Sequence, residues 1–318
     1  MWSFLKFAGD LAGTGECRCE KICGNLRKFV DKETFAEIIG SMNADEIKCG
    51  NGFPETAFLL GAGLGTRLRP LTENCPKPLL PLGEKPMICR AMDTLIALGV
   101  KRFIINTHHA AQVYAEKFPQ GNYCGVPVEL VHETVLLDTG GGLKNIEPLL
   151  SPNDENLLVY NGDILANLDL EKLVAEHLRS RALATLLLRT NPRGNVCVSA
   201  QSRIPNSEFR MNSGSEKIRD SKLATRNSQI PGDILVEDLR DRLGNAGTRR
   251  CGFTGIYCVS RKFFDEIPAG KIESVVEAFL RVIARGNGEI RGVIDDAGTW
   301  CDLGTPEEYE QAQRAFKQ

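Results

Sequence analysis

The sequence predicts an α/β fold, a mostly parallel central sheet flanked by helices, and three observations carry that reading. From Thr56 onward, short apolar runs alternate with segments of helical period, the pattern of a parallel sheet covered by helices. Two of those runs lead directly into chemical-looking turns, after Leu60 and after Tyr160; in such folds the reactive loops sit at the carboxyl ends of the strands. The helical segments also carry their own start and stop signals.

In chain order, Ala57–Leu60 reads as a buried strand. Met87, Ile88, Ala91, Met92, Leu95 and Ile96 recur at helical spacing up to Gly99. A strand at Arg102–Asn106 precedes a helix from His109 to Phe118, ended by Pro119. Val128–His132 is a strand and Gly141–Leu150 a helix; Leu157–Tyr160 is a strand running into Asn161-Gly-Asp163. Leu170, Leu173, Val174, His177 and Leu178 mark a helix that Asp169 is placed to cap. Ala182–Arg189 and Val196–Ala200, joined by Asn191–Asn195, read as a hairpin. The polar stretch from about 201 to 248 reads as a surface insertion with a short strand at Asp233–Val236. Phe253–Val259 returns to strand character. Ile272, Val275, Val276, Phe279, Leu280 and Ile283 trace an amphipathic helix stopped at Gly286. Thr305-Pro-Glu-Glu308 is a capping box opening the last helix. Residues 1–54 stand apart as a helical extension with Phe29, Phe35, Ile38 and Ile39 on its apolar face, ahead of a main domain over 55–318.

Composition narrows the function classes. A net charge of -2 provides no global basic field, so nucleic acid is not an expected partner and any polyanion must be held by a local cluster. No run approaches the roughly 18 to 20 apolar residues needed to span a bilayer, and Lys6 and Asp10 interrupt the apolar start. A cytoplasmic protein is expected. The 11 cysteines are scattered; Cys17, Cys19, Cys23 and Cys49 lack the C-x₂-C pairing that zinc sites favour, so reduced thiols are the simpler reading. An oligomer is possible but not readable.

The phosphate-binding chemistry concentrates after the first strand. Gly61-Ala-Gly63-Leu-Gly65-Thr66-Arg67 sets three glycines at alternate positions, so the backbone can approach a ligand and turn N–H groups toward it. Arg67 and Arg69 follow, and Lys77 is bracketed by Pro76 and Pro78. Backbone donors, a guanidinium fork and a point-charge ammonium are together what a triphosphate requires. A dinucleotide fingerprint would need glycine where Thr66 stands, and a P-loop would need a Gly-Lys-Ser/Thr ending. Neither fits, which disfavours a dehydrogenase. A plain glycine turn leaves the neighbouring cations unexplained.

Phe58–Thr72 with Pro76-Lys-Pro-Leu-Leu-Pro81 closely resembles the signature of sugar-1-phosphate nucleotidylyltransferases. The likeness extends through Asn161-Gly-Asp163, Phe253-Thr-Gly-Ile256 and Trp300-Cys-Asp302-Leu-Gly-Thr-Pro306, covering the chain from about Thr56 to its end. One departure stands out: Gly61 where the family usually has alanine. The resemblance implies a Rossmann-like α/β/α nucleotidyltransferase fold and a Mg²⁺-dependent transfer of NMP from an NTP to a sugar 1-phosphate. It implies catalytic roles for Arg67, Lys77 and Asp163, and Mg²⁺ held by Asp163 and Asp302.

Leu60, Gly61, Ala62, Gly63, Gly65, Thr66 and Arg67 are the expected nucleotide contacts, joined by Glu133, either accepting from a base N–H or standing as a solvated loop carboxylate, and by the N–H groups of Gly140 and Gly141 at a helix start. Lys77, Asn106, Thr139, Gly142 and Asn161 are expected at the sugar phosphate. His108 and His109 could line the sugar pocket or simply be surface or capping residues. The Thr139–Gly142 form resembles muramic-acid 1-phosphate uridylyltransferases and their mannose-1-phosphate guanylyltransferase relatives, which favours UTP over GTP; a carboxylate can accept from either base. The rival reading is a nucleotide-sensing protein that kept this fold and lost turnover.

Overall fold

The computed structural model describes residues 52–201, 233–245 and 247–316. The chain divides between Phe53 and Pro54, and the fold below belongs to the second unit. The expected helical extension, its cysteines and most of the polar insertion lie outside the described residues.

Strand β1 (Thr56–Leu60), almost wholly buried, runs into the glycine turn. A small ribbon of β2 (Pro81–Leu82) and β3 (Lys85–Pro86) precedes helix α1 (Met87–Leu98), which ends in Gly99 at φ 103, a left-handed value suited to glycine. Next come β4 (Arg102–Thr107), α2 (Ala111–Lys117), β5 (Asn122–Tyr123) and β6 (Val126–His132). Helix α3 (Asp138–Asn145) starts three residues earlier than the periodicity suggests, and a 3-10 turn over Glu147–Leu149, carrying Pro148, closes that segment. Strands β7 (Asn156–Asn161) and β8 (Ile164–Asn167) lead to α4 (Leu170–Ser180), where the Asp169 carboxylate accepts from the Lys172 amide at 2.8 Å as the capping signal predicts. The rest comprises β9 (Ala184–Thr190), β10 (Val196–Gln201), β11 (Asp233–Leu239), β12 (Arg249–Ser260), α5 (Val275–Ile283), β13 (Ile290–Ile294), β14 (Thr299–Asp302) and α6 (Pro306–Ala315). Helix α6 opens on the complete Thr305/Glu308 capping box. Among the described residues no helix is long and apolar enough to cross a membrane.

Ten strands form one sheet in the order β10-β11-β13-β9-β12-β7-β1-β4-β6-β5. β7, β1, β4 and β6 are mutually parallel, with Leu60 opposite both Asn106 and Asn161 and Thr107 opposite His132. Their carboxyl ends therefore share one edge. β9 and β13 are also parallel, whereas β12 enters antiparallel between β7 and β9.

The expected hairpin between β9 and β10 does not form. Instead, Cys251 of β12 pairs with Thr190 on one side and Val196 on the other. The Asn191–Asn195 turn accommodates that strand because a Cβ at Gly194 would lie 2.0 Å from the Cys251 carbonyl oxygen. The turn chemistry was local, but the choice of partner was not.

The main core joins Phe58, Ile104, Val159, Leu186 and Leu188 of the sheet to Leu143, Val275, Val276 and Phe279 of the covering helices. Phe279 meets Tyr257 edge-on at 5.5 Å, and burying one such ring is worth about 2–3 kcal/mol. A second cluster, Leu68, Leu80, Leu82, Met87, Leu303 and Tyr309, fastens α6 to the segment that follows the glycine turn.

His177 on α4 is 2% exposed, its ring nitrogens 2.9 Å from Thr185 Oγ1 and 3.1 Å from Asn156 Oδ1. Burial lowers its pKa from 6.5 to about 4. Between these values the unfolded chain binds the proton and the folded chain does not, so stability rises with pH across the window and falls on acidification. Moving from pH 7 to pH 5 should remove about 2 kcal/mol through this group. Thermal melts of wild type and His177→Gln at both pH values check this: the variant should lose the part of the acid sensitivity due to this ring.

Candidate active site

The turn after β1 is built from three glycines with three different jobs. The Gly61 amide donates to Asn106 Oδ1 at 2.8 Å, and the Tyr114 hydroxyl donates to the Gly61 carbonyl at 3.0 Å. A Cβ at Gly61 would lie 2.6 Å from that hydroxyl oxygen, so the departure from alanine matches a tyrosine filling the space. Gly63 is exposed, and a Cβ there would meet nothing, consistent with backbone left open to the cleft. Gly65 takes φ +61, and Thr72 closes the turn by donating to its carbonyl at 2.7 Å.

A 3-10 turn over Thr66–Leu68 then buries Leu68 and leaves Arg67 exposed. The Arg67 guanidinium lies against Gly304, where a Cβ would come within 2.9 Å of Nη1. Among the described residues the Arg67 side chain has no carboxylate partner, so its charge is available to an anion.

Lys77 sits in a second 3-10 turn, Lys77–Leu79, and is 5% exposed. Its Nζ lies 2.7 Å from Asp163 Oδ2 and 3.2 Å from Asp302 Oδ1. Asp163 arrives from the end of β7 through Gly162, whose amide donates to the Leu60 carbonyl at 3.0 Å; a Cβ on Gly162 would sit 2.8 Å from that oxygen. Asp302 arrives from far along the chain as the last residue of β14, paired with Ile164 of β8. The Trp300 indole steadies β14 by donating to the Thr254 carbonyl at 2.9 Å. Residues 77, 163 and 302 thus meet at one point.

That point opens on a cleft of about 570 Å³. Leu60, Ala62, Gly63, Gly65, Thr66 and Arg67 line one wall, and Lys77, Asn106, Thr139, Asn161 and Asp163 are also at its surface. Asp302 joins it through Lys77.

Other expected contacts turn inward. Glu133 is 2% exposed, with Oε1 accepting from Asn106 Nδ2 at 2.8 Å and Oε2 from the Leu137 amide at 3.0 Å. Each oxygen thus has a partner inside the protein, and Glu133 is not among the residues that line the cleft. Gly140 and Gly141 give their N–H groups to the Glu273 carbonyl at 2.8 and 2.9 Å. These two glycines let the 271–275 segment lie against α3: a Cβ at Gly141 would sit 2.5 Å from the Lys271 oxygen and one at Gly140 2.8 Å from the Glu273 oxygen. Gly142 is likewise buried. Asn106 reaches the cleft surface, but both ends of its amide are already bonded. His108 and His109 hold the Glu133 and Thr72 carbonyls.

The cleft lining also includes residues not expected at the site, among them Leu136, Asp138 and Ile272. Ile272, 65% exposed, lines the cleft together with Leu136 and Asp138. Helical periodicity places Ile272 on α5, but that helix begins after Ser274, whose hydroxyl accepts from the Val276 amide at 3.4 Å. The serine was a legible N-cap signal.

The family described as Nucleotidyl transferase matches residues 56–318. A mannose-1-phosphate guanylyltransferase of Mycobacterium tuberculosis is 34% identical over 256 residues, 80% of this chain and 62% of that protein. A UTP–glucose-1-phosphate uridylyltransferase of Synechocystis is 32% identical over 268 residues, 81% and 62% of the two chains. The chain therefore spans under two thirds of the length of these relatives. A UTP-bound UGPase from Acinetobacter baumannii, at 16% identity, shares the fold with a TM-score of 0.60 over 83% of this chain and 93% of its own.

Proposed function

The chain belongs to the nucleotidyl transferase family, and from that premise we propose that it transfers a nucleoside monophosphate from an NTP to a sugar 1-phosphate, releasing pyrophosphate. The observation that carries the proposal is the meeting of Lys77 and Asp163 with the glycine turn and Arg67 at one cleft, which Asp302 joins through its contact with Lys77.

In this reading an oxygen of the sugar 1-phosphate attacks the α-phosphorus, forming the new P–O bond while the bond to the β-phosphate breaks. The nucleophile is already an anion, so no strong general base is required, and catalysis rests on positioning and charge neutralisation. Arg67 holds the β- and γ-phosphates and the departing pyrophosphate. Lys77 neutralises the α-phosphate and the incoming phosphate. The open backbone of Gly63 and its neighbours aligns the polyphosphate, and Thr139 and Asn161 offer polar contacts to the sugar side.

Mg²⁺ suits the donor set. It is commonly bound by one or two carboxylates, with phosphate oxygens and waters completing its shell. Asp163 and Asp302, both in contact with Lys77, provide such a pair. When bound, the ion supplies charge neutralisation at the phosphates.

The donor is UTP or GTP. Relatives named for each are similarly close, at 34% for a guanylyltransferase and 32% for a uridylyltransferase, and Glu133 does not line the cleft. Pyrophosphate release with each NTP, Mg²⁺ and a panel of sugar 1-phosphates tests the proposal. Release with one NTP–sugar pair is expected; silence with every pair, in protein that melts cooperatively, would leave the fold without this activity.

A further inference from the structure

A continuous run of buried hydrogen bonds crosses beneath the cleft. The Gly61 N–H donates to Asn106 Oδ1, Asn106 Nδ2 donates to Glu133 Oε1, and Glu133 Oε2 accepts from the Leu137 N–H. Its two ends adjoin residues that line the cleft. Gly61 begins the glycine turn, while Leu137 sits between Leu136 and the Asp138–Thr139 start of α3, both at the cleft. Asn106 and Glu133 are each 2% exposed.

The direction of every bond in this run is dictated by its ends, because both ends are backbone N–H donors. Asn106 must therefore turn its oxygen to Gly61 and its NH₂ to residue 133. Residue 133 then faces a donor on each side and needs two acceptors. A carboxylate supplies two, whereas a glutamine supplies one oxygen and would oppose an N–H to an N–H. Among the described residues no cation pairs with Glu133; the start of α3, at Leu137, favours its charge. Gly142 leaves room for the arrangement, since a Cβ there would lie 2.8 Å from both Asn106 Nδ2 and Glu133 Oε1.

We propose that Asn106 and Glu133 are positioning residues, a polar relay that sets the glycine turn and the Leu136–Thr139 wall at their working separation, and that Glu133 is a carboxylate because the relay requires two acceptors. Neither touches the reacting atoms. The kinetic part of this inference rests on the function proposed above.

The test is a polarity swap. Glu133→Gln opposes two donors at one end, and Asn106→Asp sets two carboxylates against each other. In Asn106→Asp combined with Glu133→Gln the pattern closes again: the introduced aspartate accepts from Gly61 and from the glutamine NH₂, and the glutamine oxygen accepts from Leu137. Each single variant should raise KM for the NTP by about 10-fold, with a smaller fall in kcat. The double variant should return KM to within about threefold of wild type. A purely structural role would reduce the active fraction, and so kcat, while leaving KM in place. Wild-type KM in Glu133→Gln, or a double variant no better than the singles, overturns the proposal. Melting temperatures follow the same logic, falling in the singles and recovering in the double. If the wild-type chain neither binds nor turns over any NTP, it is the functional reading that fails, and the melting pattern alone then decides the relay.

Discussion

Asp163→Asn is expected to lower turnover by about 10² to 10³-fold while leaving the fold intact, because it removes one preorganised charge from the point where phosphate charge is redistributed. The substitution keeps the side-chain shape, and Asp163 is partly exposed, with 31% of its side chain accessible, so no large void or buried orphan results. KM for the NTP should change less than kcat. Pyrophosphate-release kinetics, with a thermal melt as a control, check this. Near-normal turnover in Asp163→Asn would remove this residue from the catalytic set.

Lys77→Ala is expected to lose turnover by a similar factor of about 10² or more, with an additional signature in stability. The ammonium is 5% exposed and serves both carboxylates. Without it, Asp163 and Asp302 would face the same space with no cation between them, and like charges in a shared site repel. Mg²⁺ alone should therefore raise the melting temperature of Lys77→Ala more than that of wild type. Because Lys77 and Asp163 are in direct contact, their effects should not add; the double variant should fall well short of the product of the two losses. An additive double variant would mean that the two residues act separately.

How much of this was legible in the sequence depended on the range of the interactions involved. That the glycine turn, Arg67, Lys77 and the two aspartates belong together could be read because the residue types and their immediate neighbours carry the signal. Glu133 and the Gly140–Gly141 amides have internal partners that the sequence did not reveal, for a shared reason. A carboxylate after a strand and N–H groups at a helix start look available to a ligand, but their partners, Asn106 and the Glu273 carbonyl, are distant in sequence. The β9–β10 hairpin failed in the same way, with the Asn191–Asn195 turn read correctly as a turn and β12 arriving later to separate the strands. Ile272 is a different kind of error, since apolar periodicity was extended across a serine cap. Signals that end an element are as local as those that fill it, and Ser274 should have outweighed one more apolar match.

Asp302 is delivered on a two-stranded ribbon, β8 with β14, that shares no pairing with the ten-stranded sheet. All strands of that sheet have been made once Ile294 has emerged. In chain order the central sheet is thus complete before the segment that carries the second aspartate. A product that stopped short of Trp300 would keep every strand of the central sheet yet lose Asp302 together with Leu303 and Tyr309, and with them the packing behind the glycine turn.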